Sequence, residues 1–392
     1  MARKKRIGIL TGGGDVPGLN SVIKSLVYRS TAESGFEVVG IRRGWEGLTH
    51  ARPVKGTDQN YAVALDRHNT RIIDRTGGTF LHTSRTNPSR LEVSRLPAHV
   101  QKKAGRLNEI ENGVVDATPI VLDNLEKLGV NHLVAIGGDD TLSYASVLNR
   151  VGFDIVAVPK TMDNDVQDTE YCVGFSTAMT RAVNAISRLR TTLGSHERVG
   201  VFRMFGRDAG FTSLYTAYVS SLRCCIPECK FDLEKLMDVL VQDKRHNPSH
   251  YALVLLSEGA SWVGYDIKGY GEADAYGHRK KPNIAEAFSD KIKEVKGEET
   301  VVVDLTYDLR SGEPDFLDRM VATTFATMAF ECILARAGGR MMAIRDGCYT
   351  DTEIPDPALG PRTVDVETMY DLERFRPNYQ TKKSLPIFMM RA

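Results

Sequence analysis

The sequence predicts an α/β protein of doubly wound, mostly parallel sheets covered by helices on both faces. Two observations carry that prediction: short, nearly continuous apolar runs recur along the chain, and segments of helical period separate them, with Gly-rich or polar turns next to the runs. A third sets the scale. At 392 residues and 42% apolar content the chain exceeds what one core usually serves, so two domains are expected.

The elements follow in order. "RIGILT", residues 6–11, is the first strand, and the Gly-rich turn after it leads into a helix carrying Leu19, Val22, Ile23 and Leu26 on one face. A second strand spans 37–41. A helix over 119–129 leads into a strand at 132–136, followed by a helix at 141–150, a strand at 154–159 and a longer helix at 175–192. Further strands are expected at 198–205, 251–256 and 300–305. Residues 261–300, rich in Gly, Lys and Glu, read as an exposed insertion or loop with a short helix, and the basic 374–383 as a solvated crossover or tail. There is no fixed-period repeat.

Composition narrows the function. Fifty-one Lys and Arg against 50 Asp and Glu leave a net charge of +1, so no global basic field exists to hold nucleic acid or an anionic membrane, and any anion must be bound locally. The apolar part of "MARKKRIGIL" is too short for a signal peptide and the run from Tyr251 too short for a membrane span, so a soluble, cytoplasmic protein is expected. Six scattered cysteines suggest buried or incidental thiols, and Cys224, Cys225 and Cys229 lack zinc spacing. His246 and His250 are separated by Asn247 and Pro248, which argues against one helix presenting both to a metal.

The chemistry-bearing motifs sit at strand ends, where α/β sheets bind ligands. "LTGGGDVPGLN", 10–20, offers backbone N–H groups and a helix N-terminus to a phosphate, although an ordinary tight turn would read the same way. "AVPKTMDNDV", 157–166, packs Lys160, Thr161, Asp163 and Asp165 together: one carboxylate can take a hydroxyl proton while the lysine neutralises phosphoryl oxygens. The alternative is an Asp-rich turn bonded to its own backbone. Arg198, Arg203, Arg207, Arg310 and Arg319 cluster around two later strands and favour phosphorylated ligands. "VAIGGDDTL", 134–142, poses a question, because Asp139 and Asp140 stand where glycines usually prepare an anion site.

In order, "ILTGGGDVPGLN", "GGTFLHTSRT", "IGGDDTL", "PKTMDND", "RVGVFRMFGRDAG", "SEG" and "YDLRSG" resemble the phosphofructokinase family over roughly the first 350 residues. The resemblance implies two α/β domains with the active site in the cleft between them, completed by a neighbouring subunit. It divides the chain into a phosphoryl-donor domain, 1–174 plus about 309–360, and a fructose 6-phosphate domain, 175–308 plus about 361–392. Members that use ATP generally carry GGDG and PGT where this chain has Gly137–Gly138–Asp139–Asp140 and Pro159–Lys160–Thr161, so the chain resembles the pyrophosphate-dependent branch.

By that resemblance Asp139 is associated with Mg²⁺, and Asp140 occupies the region of the ATP α-phosphate. Two unit charges about 5 Å apart at an effective dielectric of about 20 repel by roughly 3 kcal/mol, more than about a hundredfold in an equilibrium constant. Gly13 and its neighbouring amides would cradle diphosphate, and Lys160 and Arg85 would spread the transferring charge. Asp163 would be the base for the sugar 1-hydroxyl, with Asp165 supporting its geometry. Thr161, Phe205, Gly206, Arg207, Glu258, Tyr307 and Arg310 would bind fructose 6-phosphate, and Arg198 would reach the 6-phosphate across a subunit boundary of a homodimer or homotetramer. Two positions depart from the family: Val301 stands where some members have a second bridging Arg, and Tyr307 replaces a His common in ATP-using bacterial members. Use of ATP, another acceptor such as sedoheptulose 7-phosphate, and a non-catalytic sensing or assembly role remain alternatives at this stage.

Overall fold

The computed structural model describes residues 5–32, 35–102, 107–265 and 282–379. The first half runs β1 (Lys5–Thr11), α1 (Leu19–Ala32), β2 (Phe36–Ile41), α2 (Gly44–His50), β3 (Ala62–Leu65), β4 (Leu91–Glu92), α3 (Ala98–Gln101), β5 (Asn108–Glu111), β6 (Val114–Asp116), α4 (Thr118–Leu128), β7 (Val130–Gly137), α5 (Asp139–Arg150) and β8 (Ile155–Pro159). It continues with α6 (Phe175–Ser195), β9 (Val199–Met204), α7 (Phe211–Ser220), β10 (Arg223–Cys225), α8 (Leu233–His246), β11 (Ala252–Ser257), α9 (Ile284–Lys296) and β12 (Thr300–Leu305). Last come α10 (Phe316–Ala335), β13 (Arg340–Arg345), β14 (Cys348–Glu353), α11 (Val366–Met369), β15 (Tyr370–Asp371) and β16 (Arg376–Pro377).

Two large sheets result. The first is seven-stranded, in the order β14-β13-β8-β7-β1-β2-β3, parallel except at its two edges, where β14 and β3 run antiparallel. The second is an all-parallel, four-stranded sheet in the order β10-β11-β9-β12. Both are doubly wound, as the period of two requires. Ile7 and Ile9 of β1 pack with α1 and α10, while Leu10 of the same strand points to the face covered by α2, α4 and α5. In the second sheet Phe202 and Leu255 face α6 and α7, and Val201 and Leu256 face α8 and α9.

One buried cluster runs from Ile7 and Val134 of the first sheet through α10 and α6 to Phe202 and Leu255 of the second. At its centre Asp318, fully buried at the start of α10, accepts four hydrogen bonds: from the Tyr171 hydroxyl at 2.6 Å, Gly174 N–H at 2.7 Å, Thr177 N–H at 2.8 Å and the Thr177 hydroxyl at 2.5 Å. These bonds fix the start of α6 against α10 and satisfy N–H groups that the helix itself leaves unpaired.

The elements read from the sequence are present within one to three residues at each end, and two expectations change. The segment beginning at 261 does not simply loop outward: Trp262 is buried, and the 13-residue α9 buries Ile284, Phe288 and Ile292 against the second sheet. Residues 266–281 of that segment lie outside those described. The C-terminal stretch is not a solvated tail over 374–379 either. Phe375 is buried, its carbonyl accepts the Cys224 N–H at 2.8 Å, and Arg376–Pro377 pairs with Tyr370–Asp371; residues 380–383 lie outside those described. Cys172, Cys224 and Cys225 are buried free thiols, and no group among the described residues gathers three His, Cys, Asp or Glu side chains into a metal site. No helix among the described residues is long and apolar enough to cross a membrane.

Candidate active site

Parallel pairing puts the informative turns side by side. β8, β7 and β1 are neighbours, with Gly137 opposite Pro159 and Thr11 opposite Ile136, so Gly12–Gly14, Gly138–Asp140 and Lys160–Asp165 leave one edge together. In the second sheet Met204 is opposite both Ser257 and Leu305, which brings Phe205–Arg207, Glu258 and Tyr307–Arg310 to a corresponding edge. The two edges meet: Glu258, Arg207 and Asp208 all act on the Asp163 carboxyl, and Arg310 lies 3.9 Å from Asp15.

The glycine turn carries the first half of the site. Gly13 has φ 76°, a left-handed conformation that side chains resist, and a Cβ there would stand 3.3 Å from Lys160 Nζ. Its N–H donates to Ser84 O at 3.1 Å and its carbonyl accepts from Thr83 Oγ1 at 2.6 Å, lacing the turn to the segment that ends in Arg85. Lys160 is buried, only 3% exposed, and donates to Gly14 O at 2.6 Å. Burial, then the positive charge of Arg310, partly offset by Asp15, pushes its ammonium down to about 8. Arg85 lowers it further and Asp140 raises it, so these charges share one polar floor. The guanidinium of Arg310 is held between two rings, 4.6 Å from the centre of Tyr307 and 5.3 Å from that of Phe205.

Three carboxylates form the second half. Asp139 opens α5, where a helix N-terminus ordinarily favours negative charge. Burial and the nearby Asp165 and Asp140 overcome that preference and push it up to about 7. Asp163 is raised well above the ordinary carboxylate range, first by burial and then by Asp165 and Glu258. Its Oδ1 is buried with no hydrogen-bond partner among the described residues, while its backbone N–H donates to Thr161 Oγ1 at 3.1 Å. Asp165 is raised by burial as well. A buried carboxylate that lacks a donor is poised to accept a proton from a ligand hydroxyl. Crowded anions with few neutralising partners also suit a hard dication, which typically takes one or two carboxylates and completes its shell from phosphate oxygens and water. Asp139 fits that role.

The remaining expectations separate by position. Glu258 is held by Arg203 at 3.3 Å, Arg203 also pairs with Asp304 at 2.8 Å, and Arg207 pairs with Asp208 at 2.7 Å. Gly206 has φ 121°, and its carbonyl accepts Gly259 N–H at 3.0 Å, which pins the turn before Arg207 to the one after Glu258. Tyr307 is 74% exposed at the rim. Arg198 is not brought to this site: it precedes β9 while Arg207 follows it, and a six-residue strand separates the two by about 17 Å. Val301 lies beside that same far end, paired with Gly200. Arg319 leaves the group altogether, bonded to Glu313 and to Pro314 O at the start of α10. Asp15, Asp208 and Arg362 were not singled out from sequence. The first two lie inside motifs already noted, "LTGGGDVPGLN" and "RVGVFRMFGRDAG", whereas nothing local marks Arg362.

Residues 6–333 match the phosphofructokinase family model. A pyrophosphate--fructose 6-phosphate 1-phosphotransferase of Amycolatopsis methanolica is 34% identical over 372 residues, covering 94% of this chain and 99% of that one. An ATP-dependent 6-phosphofructokinase 3 of Streptomyces coelicolor is 35% identical over 92% of this chain and 96% of its own. A solved pyrophosphate-dependent phosphofructokinase of Marinobacter aquaeolei superposes with a TM-score of 0.73 at 16% identity, covering 97% of this chain and 90% of that one, a likeness of fold.

Proposed function

Because the chain belongs to the phosphofructokinase family, we propose that it is the pyrophosphate-dependent enzyme. It moves a phosphoryl group reversibly from diphosphate to the 1-hydroxyl of fructose 6-phosphate, giving fructose 1,6-bisphosphate and phosphate. One observation carries the donor assignment: Lys160, a buried cation bonded to Gly14 O, fills the floor beneath the glycine turn while Asp140 stands at the adjoining helix start. A nucleoside would have to pass Asp140, and diphosphate, with no nucleoside to anchor it, gains most from Lys160. Relatives with both donor names match at similar identity, so overall similarity does not choose the donor.

The transfer is in-line. Asp163 Oδ1, which has no hydrogen-bond partner among the described residues, accepts the proton of the sugar 1-hydroxyl, whose oxygen forms the new bond to phosphorus as the bridging P–O bond of diphosphate breaks and phosphate leaves. Lys160 and Arg85 hold the oxygens that gain charge. The N–H groups of Gly12 and Gly13, expected to cradle diphosphate, are already given to Ile136 O and Ser84 O, so that turn contributes close approach to Lys160 and not those two donors. Asp165 sets the position of the base. Asp139 would hold Mg²⁺, which when bound supplies neutralising charge to the phosphoryl oxygens. Thr161, Phe205, Gly206, Arg207, Glu258, Tyr307 and Arg310 line the sugar phosphate.

Arg198, at the opposite end of β9 from its own site, serves a neighbouring copy, so the working unit is a homodimer or homotetramer of a cytoplasmic enzyme. The donor half comprises 1–174 with about 309–360, and the sugar half the remainder. The test is formation of fructose 1,6-bisphosphate from fructose 6-phosphate, Mg²⁺ and diphosphate. Sugar-phosphate binding without turnover on any donor would instead mark a sensing subunit.

A further inference from the structure

Resting on that reading, we propose that Arg362 is a positioning residue for the Asp163–Asn164–Asp165 loop, holding both of the carbonyls that follow Asp163. Its backbone N–H donates to Asp165 O at 2.6 Å and its Nη2 donates to Asn164 O at 2.6 Å. The guanidinium carbon lies 4.4 Å from the centre of the Phe211 ring, which fixes the plane from which the fork reaches the loop.

The loop needs such a partner. Asn164 adopts φ 55°, a left-handed conformation that most side chains resist and that Asn holds with local hydrogen bonds, and it is only 2% exposed. On one side its side chain bonds Glu170 O at 2.9 Å and Cys172 N–H at 2.8 Å. On the other, the Arg362 contacts take the carbonyls of Asn164 and Asp165. The two carboxylates of the transfer centre are thus carried on a left-handed turn clamped from two directions, and the second clamp comes from a segment almost two hundred residues away in sequence.

That segment ties both halves of the site. It begins where Ile354 N–H donates to Gly339 O at 3.0 Å beside the first sheet, passes Arg362, and ends where Val364 N–H donates to Glu228 Oε1 at 2.8 Å. The same oxygen accepts Gly210 N–H at 2.8 Å, at the turn that carries Arg207 and Asp208. Arg362 therefore aligns the base loop with the sugar-binding turn. It touches no reacting atom in the proposed chemistry, and its positive charge also favours the ionised form of Asp165.

The test compares Arg362→Met and Arg362→Lys with the wild-type full chain, by steady-state kinetics and by hydrogen–deuterium exchange. Misplacing a reacting group by about 1 Å costs on the order of a hundredfold. Arg362→Met is expected to lose about that factor in kcat with both KM values within about threefold and an unchanged urea midpoint, and Arg362→Lys to recover most of it. Peptides over 161–167 should exchange faster in Arg362→Met while those of α1 and α10 do not change. The proposal is overturned if Arg362→Met keeps kcat and exchange at wild-type levels, if its loss only tracks the folded fraction, or if Arg362→Lys fares no better. Should the wild type turn over no donor, the assigned reaction fails, and exchange over 161–167 still decides the role of Arg362.

Discussion

Replacing Lys160 by Arg should remove the alkaline limb of the pH profile for diphosphate. Lys160 is buried, with Arg310 and Arg85 acting on it, and its ammonium is lowered from 10.5 to about 8, a differential cost of roughly 3 kcal/mol against the charged form. Only the protonated lysine can neutralise the donor. At pH 7 about nine-tenths of the free enzyme carries that proton and at pH 9 about one-tenth, so kcat/KM for diphosphate should fall about tenfold between them. The assay is kcat/KM for diphosphate from pH 6 to 10 at saturating fructose 6-phosphate and Mg²⁺. A guanidinium stays charged throughout, so Lys160→Arg should lose this limb even if its absolute rate is lower. Ionisation of diphosphate itself would appear in both proteins. A limb of equal midpoint in both, or a flat wild-type profile to pH 10, refutes the role given to Lys160.

Other outcomes follow from the same geometry. Asp163→Asn should lower kcat by about 10² to 10⁴ while the KM for fructose 6-phosphate changes little, measured in both reaction directions; retention of most of the rate would reassign the base. The acid limb of wild-type kcat/KM should lie above the ordinary carboxylate range, because burial, Asp165 and Glu258 all raise Asp163 and activity appears only as it ionises. Asp318→Asn should cost about 2 to 4 kcal/mol in urea unfolding at pH 7, since an amide would set an NH₂ against donors that now converge on a carboxylate.

Most of the sheet architecture was legible because its strands are covered on both faces and therefore read as unbroken apolar runs: "GIL", "LVAI" and "IVAVP" all lie at the centre of the first sheet. The 20-residue α10 was not read from the sequence. It buries one regular face, Val321, Ala322, Phe325, Ala326, Ala329, Phe330 and Ile333, but its other face carries the exposed Phe316, Met320 and Leu334, so apolar residues occur all round the helix and blur the stripe that would signal its period. The β13–β14 hairpin was missed although it carries a local signal, Asp346–Gly347 with φ 51° and 72° between two extended runs. Within the site, the residues of the glycine turn, the Asp-rich loop and the arginine strand were found because each sits in a dense motif at a strand end. Arg362 has no such signature: "LGPRTVDV" becomes part of the site only through a tertiary crossover. Arg198 and Arg319 are close in sequence to site residues but are separated from them, one by the length of β9 and the other by a surface ion pair.

The most direct test of the donor assignment is the ratio of kcat/KM for diphosphate to that for ATP, in the wild type and in Asp140→Gly. A repulsion of roughly 3 kcal/mol at Asp140 gives a wild-type ratio above about a hundred, falling by about that factor when the charge is removed. A wild type that uses ATP as well as diphosphate, or an Asp140→Gly variant whose ratio is unchanged, would contradict the assignment of Asp140 and Lys160 as the residues that choose the donor.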